Sequence, residues 1–398
     1  MQPLYQFHQS VIRTIERDFT RFLYNEIHWA QRMLAIKGPR GAGKTTLMLQ
    51  RLKFGLQLPA TEALYITADH IWFYAHTLYE TVVSFAQQGG KYLFIDEVHK
   101  YPNWSTELKN IYDGFPDLRI IFSASSALDI YRGEADLSRR LITYTLPGLS
   151  FREFLELKGV ATIDPVCFTD IINHHESIAA NICTRLRPLS QFQAYLKTGV
   201  LPIIAESRDE DIPARLIQII NAVLEADLAY TRNIDAGSVV KIKRLLGVIA
   251  ESAPFKPNIS SLARKLGVSR DSIYQWIAYL EHARVLNNVS QGGKGTSVLQ
   301  KPDKVYLENT NFSYALKQNP DVGALRETFF VNQALNTGLQ VTLPKQGDFL
   351  IDNTIVEVGG KNKTMKQIAG LKNAVTAVDD IEIGYGKRIP LWLFGMMY

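Results

Sequence analysis

The stretch Gly38-Pro39-Arg40-Gly41-Ala42-Gly43-Lys44-Thr45 decides what fold this chain is expected to have. It matches the phosphate-binding pattern G-x-x-x-x-G-K-[ST] and directly follows a short apolar run at residues 33–36 that suits a buried strand. Residues 45–52 are apolar at helical spacing, so a helix is expected next. Loop N–H groups that turn inward and a helix N-terminus both favour a bound anion. The stretch therefore predicts a strand, loop and helix that bind a nucleoside triphosphate.

The type of each residue in this loop suggests a role. Lys44 is expected to pair with the β- and γ-phosphates, and the hydroxyl of Thr45 is expected to ligate Mg²⁺. The remaining binding residues predicted from the pattern are Gly38, Pro39, Arg40, Gly41, Ala42, Gly43 and Thr46. The expected cofactors are therefore ATP and Mg²⁺.

A second apolar run, residues 91–95, ends in the carboxylates Asp96 and Glu97. In open α/β sheets ligands gather at the carboxyl ends of the strands. Neighbouring side chains at a strand end point in different directions, so Asp96 is expected to hold the Mg²⁺ shell and Glu97 to polarise the attacking water. The alternative is a solvated acidic pair after a core strand.

A third strand, residues 118–122, leads into four small residues at 123–126. The hydroxyl of Ser125 could sense the γ-phosphate or position the water, although serines also form simple turns after strands. Further on, Arg139 and Arg140 could neutralise transition-state charge in the same subunit or in a neighbour. A surface salt bridge is the alternative for either arginine.

Composition sets limits on the class of protein. The chain has 398 residues, 46% hydrophobic and 21% charged, which is ordinary for a globular protein of two to four domains. It has no apolar run long enough to span a bilayer and no N-terminal signal pattern, so a cytoplasmic protein without membrane contact is expected. Its two cysteines, Cys167 and Cys183, are expected to be buried thiols. The formal charge of +5 permits nucleic acid contact without requiring it.

We divide the chain into four predicted domains. Residues 1–149 form the nucleotide-binding core with N-terminal helices, and Arg13, Arg17 and Arg21 are expected on one solvated helix face. Residues 150–237 form a helical lid or connector that opens with a capping box. Residues 238–300 form a winged helix-turn-helix, and residues 301–398 form a mixed α/β domain.

In the third domain, residues 270–285 are expected to form the recognition helix. Its buried face contains Ile273, Ile277 and Leu280, and its outward face contains Arg270, Asp271, Tyr274 and Gln275. The glycine-rich segment 291–296 would then form the wing. Double-stranded DNA is one predicted partner, and another protein is the alternative, because winged helices also serve as adaptors and Asp271 would repel phosphate.

The last hundred residues predict helices at 324–339 and 364–377. They also predict short strands at 347–351 and 354–358 and a final strand at 391–397. Three acids, Glu327, Asp348 and Glu357, lie on the first helix and the two successive strands. They are either ligands of a second site or ordinary surface acids near turns.

Several segments together resemble a known family: the phosphate-binding loop, the run Phe94-Ile95-Asp96-Glu97 followed by Pro102-Asn103-Trp104, the serine turn at 123–126, and Leu149-Ser150-Phe151-Arg152-Glu153-Phe154. The chain resembles bacterial and archaeal AAA-superfamily ATPases that carry a C-terminal domain of unknown function. The resemblance implies an α/β fold with a P-loop AAA-type core, a winged helix and a restriction-endonuclease-like tail. A homo-oligomer is also compatible with it. The family commonly has Gly-Arg where this chain has Arg139-Arg140, which leaves the role of Arg139 open.

The resemblance also implies a degenerate second site in the tail. Nucleases of that fold use three acids and a lysine, and Glu327, Asp348 and Glu357 fill the acid positions. Gly359 stands at the lysine position; Lys361 shares a strand face with Glu357 and could reach back to it, and a bend at Gly359-Gly360 could either bring this lysine to the site or direct it away. We therefore predict an ATPase without nuclease activity. Its nucleotide state is expected to control DNA binding or, alternatively, to gate contact with another protein.

Overall fold

The computed structural model describes residues 1–125, 137, 139–229, 234–252, 254–291, 302–364, 368 and 370–398. These residues form two compact units, Met1–Pro147 and Gly148–Tyr398. Some sequence predictions fall outside the described residues: Ser126 of the serine turn, Asp136 and Ser138 before the arginine pair, and the wing residues 292–296.

The first unit is built on a five-stranded parallel sheet with the strand order β2-β3-β4-β1-β5. Its strands are β1 (Met33–Gly38), β2 (Ala63–Thr67), β3 (Tyr92–Asp96), β4 (Arg119–Ser125) and β5 (Ile142–Thr145). The apolar runs before the loop, before Asp96 and before Ser125 thus form adjacent strands. Their carboxyl ends meet at one edge of the sheet.

Alternation along the strands divides the apolar side chains between the two faces of this sheet. On β1, Met33 and Ala35 join one hydrophobic cluster, whereas Leu34 and Ile36 join the other. Strands covered on both faces need near-continuous apolar sequence, which explains why these runs show no polar alternation.

The helices of the first unit are α1 (Gln2–Arg13), α2 (Leu23–Glu26), α3 (Lys44–Gln50), α4 (Leu78–Gln87) and α5 (Trp104–Gly114). A π-helical turn, Arg51–Leu56, extends α3. The predicted arginine face is wrong, because α1 ends at Arg13 and Arg21 is buried. Beyond α1 the chain is held by the side-chain amide of Gln50, which donates to the carbonyl oxygens of Glu16 and Phe19.

The second unit begins with helices, as the sequence predicts. They are α6 (Phe151–Leu157), α7 (Phe168–Cys183), α8 (Pro188–Thr198), α9 (Ile212–Ala222) and α10 (Ala236–Glu251). The predicted capping box is present at α6: Ser150 accepts from the N–H of Glu153, and the Glu153 side chain accepts from the N–H of Ser150. Both Ser150 Oγ and Arg152 Nε donate to the main-chain oxygen of Tyr398, so this segment also binds the last residue of the chain.

Two further helices and an antiparallel strand pair follow α10. They are α11 (Ile259–Leu266), α12 (Arg270–His282), β6 (Leu286–Val289) and β7 (Lys304–Leu307). Ile273, Ile277 and Leu280 are buried, as predicted from their spacing on α12. Arg270, Asp271 and Gln275 are exposed, and Tyr274 is half-buried.

The last part of the second unit contains the helices α13 (Thr310–Leu316) and α14 (Val322–Asn336) and a mixed five-stranded sheet of order β12-β11-β10-β9-β8. Its strands are β8 (Val341–Thr342), β9 (Phe349–Ile351), β10 (Thr354–Gly359), β11 (Ala374–Val378) and β12 (Arg388–Pro390). Strands β10, β11 and β12 run parallel, whereas β8 and β9 join as antiparallel neighbours.

Two of the predicted elements in this region are wrong. The helix expected at 364–377 is replaced from Ala374 onward by β11, which lies fully buried between β10 and β12. Residues 365–367 and 369 lie outside the described part. The final strand expected at 391–397 is a buried 3-10 helix, Leu391–Met396, and the strand is the preceding Arg388–Pro390. Burial on all sides, rather than sheet pairing, accounts for the apolar composition there.

Among the described residues, no helix is both long and apolar enough to cross a membrane. Both cysteines are free thiols. The expectation that both are buried is wrong: Cys167 is exposed, and its sulfur caps the start of α7 by accepting from the N–H of Asp170, whereas Cys183 is half-buried.

Candidate functional site

The loop between β1 and α3 has the backbone that its glycines predict. Gly41 and Gly43 have φ angles of 82° and 91°, a left-handed region that residues with a Cβ rarely adopt. Helix α3 begins at Lys44, directly after Gly43. Lys44 is buried, and its Nζ donates to the carbonyl oxygens of Gly38 and Pro39 at 2.9 and 3.1 Å. The ammonium group is therefore held within the loop.

Asp96, at the end of β3, is buried next to this loop. Its Oδ2 accepts from Thr45 Oγ1 at 2.6 Å and from the Tyr65 hydroxyl at 2.9 Å. Its Oδ1 accepts from Ser123 Oγ on β4. Side chains from the start of α3 and from the two strands that flank β3 thus converge on one carboxylate, including the Thr45–Asp96 pair proposed from the sequence.

Tyr65, on β2, is a member of this site that the sequence analysis missed. Burial raises the pKa of its hydroxyl, and the neighbouring charge of Asp96 raises that pKa further. The phenol therefore stays protonated and acts as a hydrogen-bond donor. The backbone N–H of Tyr65 donates to Nδ1 of the buried His8 on α1 at 3.0 Å, so the N-terminal helix fixes this part of β2.

Glu97 follows Asp96 and has a left-handed backbone, with φ 53° and ψ 40°. Its N–H donates to Asp96 Oδ1 at 3.1 Å and to Ser123 Oγ at 2.9 Å. A non-glycine residue in this conformation is uncommon and often marks a functional position. The side chain is 26% exposed, so it is accessible to solvent at the strand edge.

Ser125 ends β4 and is buried at the same edge of the sheet. Its N–H donates to Nδ1 of His99 at 3.4 Å. His99 is also buried and contacts Glu97, yet it was not predicted from the sequence. The signal available was its position three residues after Asp96, on a turn that must leave the sheet edge.

Arg21 is a second buried group that the sequence analysis missed, since its spacing suggested a solvated face. Its guanidinium donates to the carbonyl oxygen of Ala42 in the phosphate-binding loop and to that of Pro147 at 2.9 Å. A buried guanidinium satisfied by carbonyl oxygens stabilises a particular loop conformation. Arg21 thus stabilises the conformation of the phosphate-binding loop through its contact with Ala42.

Neither predicted arginine lies among these contacts. Arg140 makes a two-pronged ion pair with Asp113 of α5, with Nε and one terminal nitrogen each 2.9 Å from a carboxylate oxygen. Arg139 is exposed. Arg140 therefore forms a surface salt bridge, which was the alternative interpretation of this arginine.

In the second unit, the three acids of the proposed degenerate site each have protein partners. Glu327 Oε2 accepts from the Tyr306 hydroxyl at 2.7 Å and lies 3.3 Å from Lys304 Nζ. Asp348 Oδ2 accepts from the N–H of Val358 at 2.8 Å. Over the part of the chain that the structure describes, no group of three His, Cys, Asp or Glu side chains could hold a metal ion.

Of the two alternatives for Lys361, the structure shows the one in which this lysine does not contact Glu357. Lys361 is exposed, whereas Lys363 Nζ lies 2.6 Å from Oε1 of the fully buried Glu357. Strand β10 ends at Gly359, so the two-residue alternation that favours Lys361 no longer applies. Burial raises the pKa of Glu357, and the ion pair with Lys363 opposes this shift.

Comparison with known proteins gives two family matches. Residues 30–155 match a family described as an AAA domain, and residues 189–321 match a domain of unknown function, DUF8612. An uncharacterized protein of Methanocaldococcus jannaschii, MJ1637, is 23% identical over 383 residues, which cover 88% of this chain and 80% of the relative.

Similar solved structures include PCH-2 of C. elegans, with a TM-score of 0.25 and 13% identity over 71% of this chain and 66% of that chain. A katanin structure matches with a TM-score of 0.24 and 14% identity, covering 45% of this chain and 70% of that chain. Residues 30–155 thus match an AAA domain, and the resemblance to AAA-superfamily ATPases with a domain of unknown function is confirmed.

Proposed function

We propose that this protein is a Mg²⁺-dependent ATPase whose catalytic site lies at the edge formed by the loop 38–45 and the ends of β3 and β4. The observation that carries the proposal is the 2.6 Å contact between Thr45 Oγ1 and Asp96 Oδ2. These two residues are 51 positions apart in the chain, and the fold brings together the hydroxyl and the carboxylate that the sequence pattern assigns to one metal ion. The AAA domain at 30–155 supports the same activity.

The donor groups at this edge fit Mg²⁺, which prefers hard oxygen ligands from one or two carboxylates or hydroxyls together with phosphate oxygens. Thr45 and Asp96 would hold the ion. When bound, Mg²⁺ neutralises charge on the β- and γ-phosphates.

The side chains of this chain account for the rest of the reaction. Loop N–H groups and the N-terminus of α3 bind the phosphates, and Lys44 pairs with their charge. Glu97 accepts a proton from the attacking water as the water oxygen bonds to the γ-phosphorus and the bond from that phosphorus to the β–γ bridging oxygen breaks, which releases ADP and inorganic phosphate. Ser125 lies at the end of β4, where it can respond to the presence of the γ-phosphate.

Four variants test this proposal with matched controls. Lys44→Ala should lose ATP affinity because the phosphate charge is no longer matched, whereas Lys91→Ala, at a surface lysine with a 59% exposed side chain, should not. Glu97→Gln should bind ATP normally and hydrolyse it at least ~100-fold more slowly, the scale for removal of a general base. Glu62→Gln is its control. Unimpaired turnover by Glu97→Gln would remove the assigned base.

We further infer that the nucleotide state controls DNA binding by the second unit. The order of α10, α11, α12 and the antiparallel pair β6–β7 supports a winged helix-turn-helix, and Arg264, Lys265 and Arg270 are exposed on α11 and α12. Arg270 is the first residue of α12, and Arg264 and Lys265 lie in the last turn of α11, positions at which basic side chains suit phosphate contact. The exposed Asp271 favours the alternative, a nucleotide-gated contact with another protein. ATP turnover with and without duplex DNA distinguishes the two.

A further inference from the structure

The backbone of Glu97 is fixed, but its carboxylate needs a separate restraint. Two hydrogen bonds hold the Glu97 N–H against Asp96 and Ser123, and the left-handed φ sets the direction in which the Cβ leaves the chain. A glutamate side chain has three further rotatable bonds, so these contacts do not orient the oxygens. A general base must lie within hydrogen-bond reach of the water that it activates.

His99 supplies a restraint from the buried side. It lies on the 3-10 turn Val98–Lys100 and is only 3% exposed. Its Nε2 lies 3.5 Å from Glu97 Oε2, and its Nδ1 accepts from the N–H of Ser125 at 3.4 Å. Since Nδ1 accepts a hydrogen bond, the proton of the neutral ring is assigned to Nε2, which faces Glu97.

Lys100 contacts the same carboxylate from the solvent side. Its Nζ lies 3.5 Å from Glu97 Oε2 and 2.6 Å from Asp69 Oδ2, with the side chain 34% exposed. Partly exposed ion pairs with long side chains contribute little orientation, because solvent screens them and the lysine stem is flexible. The imidazole, which is buried, is less screened by solvent than the lysine at the same distance from this oxygen.

We propose that His99 is a positioning residue that orients the Glu97 carboxylate and connects it to the end of β4 at Ser125. The proposal rests on the proposed ATPase function. The chain of contacts runs from the Ser125 N–H through the imidazole to Glu97 Oε2. A displacement of the end of β4 would thus turn the ring and move the base.

The test uses the full-length chain with three substitutions. His99→Phe keeps the ring volume and removes both nitrogens, so kcat should fall about 10-fold or more, a fraction of the effect of losing the base itself. The Kd for ATP should stay within about twofold, because the loop 38–45, which is proposed to bind the phosphates, is unchanged in this variant. His99→Gln places an amide donor near Nε2 and should restore most of the rate. His76→Phe, at an exposed histidine, is the matched control.

A double substitution shows whether the effect passes through Glu97. In a Glu97→Gln background, His99→Phe should cause no further loss of rate, because residues that act as a unit are not additive. Equal losses by the Phe and Gln variants, or a full additional loss in the double variant, would show that the ring has only a structural role. If His99→Phe has the same kcat as the wild type, the assignment of His99 is wrong, but the proposed ATPase function is not affected. A wild-type chain that binds ATP without hydrolysing it would overturn the proposed function and this assignment together.

Discussion

The hydroxyl of Tyr65 donates a 2.9 Å hydrogen bond to Asp96 Oδ2, the same oxygen that accepts from Thr45. This phenol is therefore an outer partner of the carboxylate proposed to hold Mg²⁺. Outer partners orient metal ligands, and their loss typically costs about 10- to 100-fold in metal affinity or activity.

We expect Tyr65→Phe to raise the Mg²⁺ concentration that gives half-maximal ATP turnover by about 10-fold, because Asp96 loses its orienting donor. Tyr92→Phe is the control: Tyr92 lies on the adjacent strand and its hydroxyl contacts Arg119 at 3.4 Å instead. Turnover measured over a Mg²⁺ titration gives both values. An unchanged Mg²⁺ requirement in Tyr65→Phe would show that Thr45 and Ser123 suffice to orient Asp96.

A second prediction concerns duplex DNA. Reversing the charge of Lys265 and Arg270 together should weaken binding and reduce the slope of log affinity against log salt by about two, since each phosphate contact releases roughly one counterion. Both side chains are exposed. Arg208→Glu, at a side chain 86% exposed, is the control. Absence of duplex binding by the wild type at low salt, with and without ATP, would favour the protein-contact alternative.

The tail should not cleave DNA. Lys363 forms an ion pair with Glu357. The Tyr306 hydroxyl donates a hydrogen bond to Glu327, and Lys304 forms an ion pair with it, so both acids are paired with protein groups. We therefore expect no Mg²⁺- or Mn²⁺-dependent cleavage of linear, nicked or single-stranded DNA, assayed by gel electrophoresis. Cleavage that is lost in both Glu357→Ala and Lys363→Ala but survives in Lys44→Ala would contradict this prediction and make the tail an active nuclease.

A pH prediction follows from Glu308, which is buried after β7. Burial raises its pKa from an ordinary value of 4.5 to about 7, although Arg284 lies 3.3 Å from Oε1 and opposes the shift. The folded state thus binds a proton that the unfolded state has released between these two pH values. The contribution to stability is complete below pH 4.5 and is lost as the pH rises to about 7.

The slope attributable to this one carboxyl is at most ~1.4 kcal/mol per pH unit. Denaturant unfolding of the wild type and of Glu308→Gln, each at pH 5 and pH 8, isolates it, because other titrating groups are shared by the two proteins. The variant should show the smaller loss of unfolding free energy between the two pH values. Equal losses would place the pKa of Glu308 near its ordinary range.

Strands β1, β3 and β4 of the first unit were predictable because they are continuous apolar runs next to recognisable residues, whereas β2 and β5 were not predicted. Parallel strands bring their carboxyl ends to one edge, so the contact of Thr45 with Asp96 and the position of Ser125 at the same edge follow from the sequence pattern. The contacts made by Tyr65, His99 and Arg21 did not follow from it. Each depends on long-range packing, and an aromatic residue or a lone arginine near a strand has no local pattern that marks it.

The tail was harder to predict for two physical reasons. The buried strand Ala374–Val378 lies after a polar segment whose spacing resembles a helix, and its β-branched residues were the signal that favoured a strand. The lysine partner of Glu357 depended on the turn at Gly359. A Cβ there would lie 2.6 Å from Lys363 Cγ, so the absence of a side chain lets Lys363 fold over the strand end.

The close approach of Gly38 to Leu146 limits which residues can replace this glycine during evolution. A Cβ at this position would lie 2.2 Å from the main-chain oxygen of Leu146, and a backbone atom cannot move aside as the end of a flexible side chain can. The packing of Leu146 therefore demands a glycine at position 38 whether or not a phosphate is bound. A descendant of this protein that lost its ATPase activity would be free to replace Lys44 but would still retain Gly38. The first glycine of the motif is thus a marker of common ancestry, whereas the lysine is a marker of retained activity.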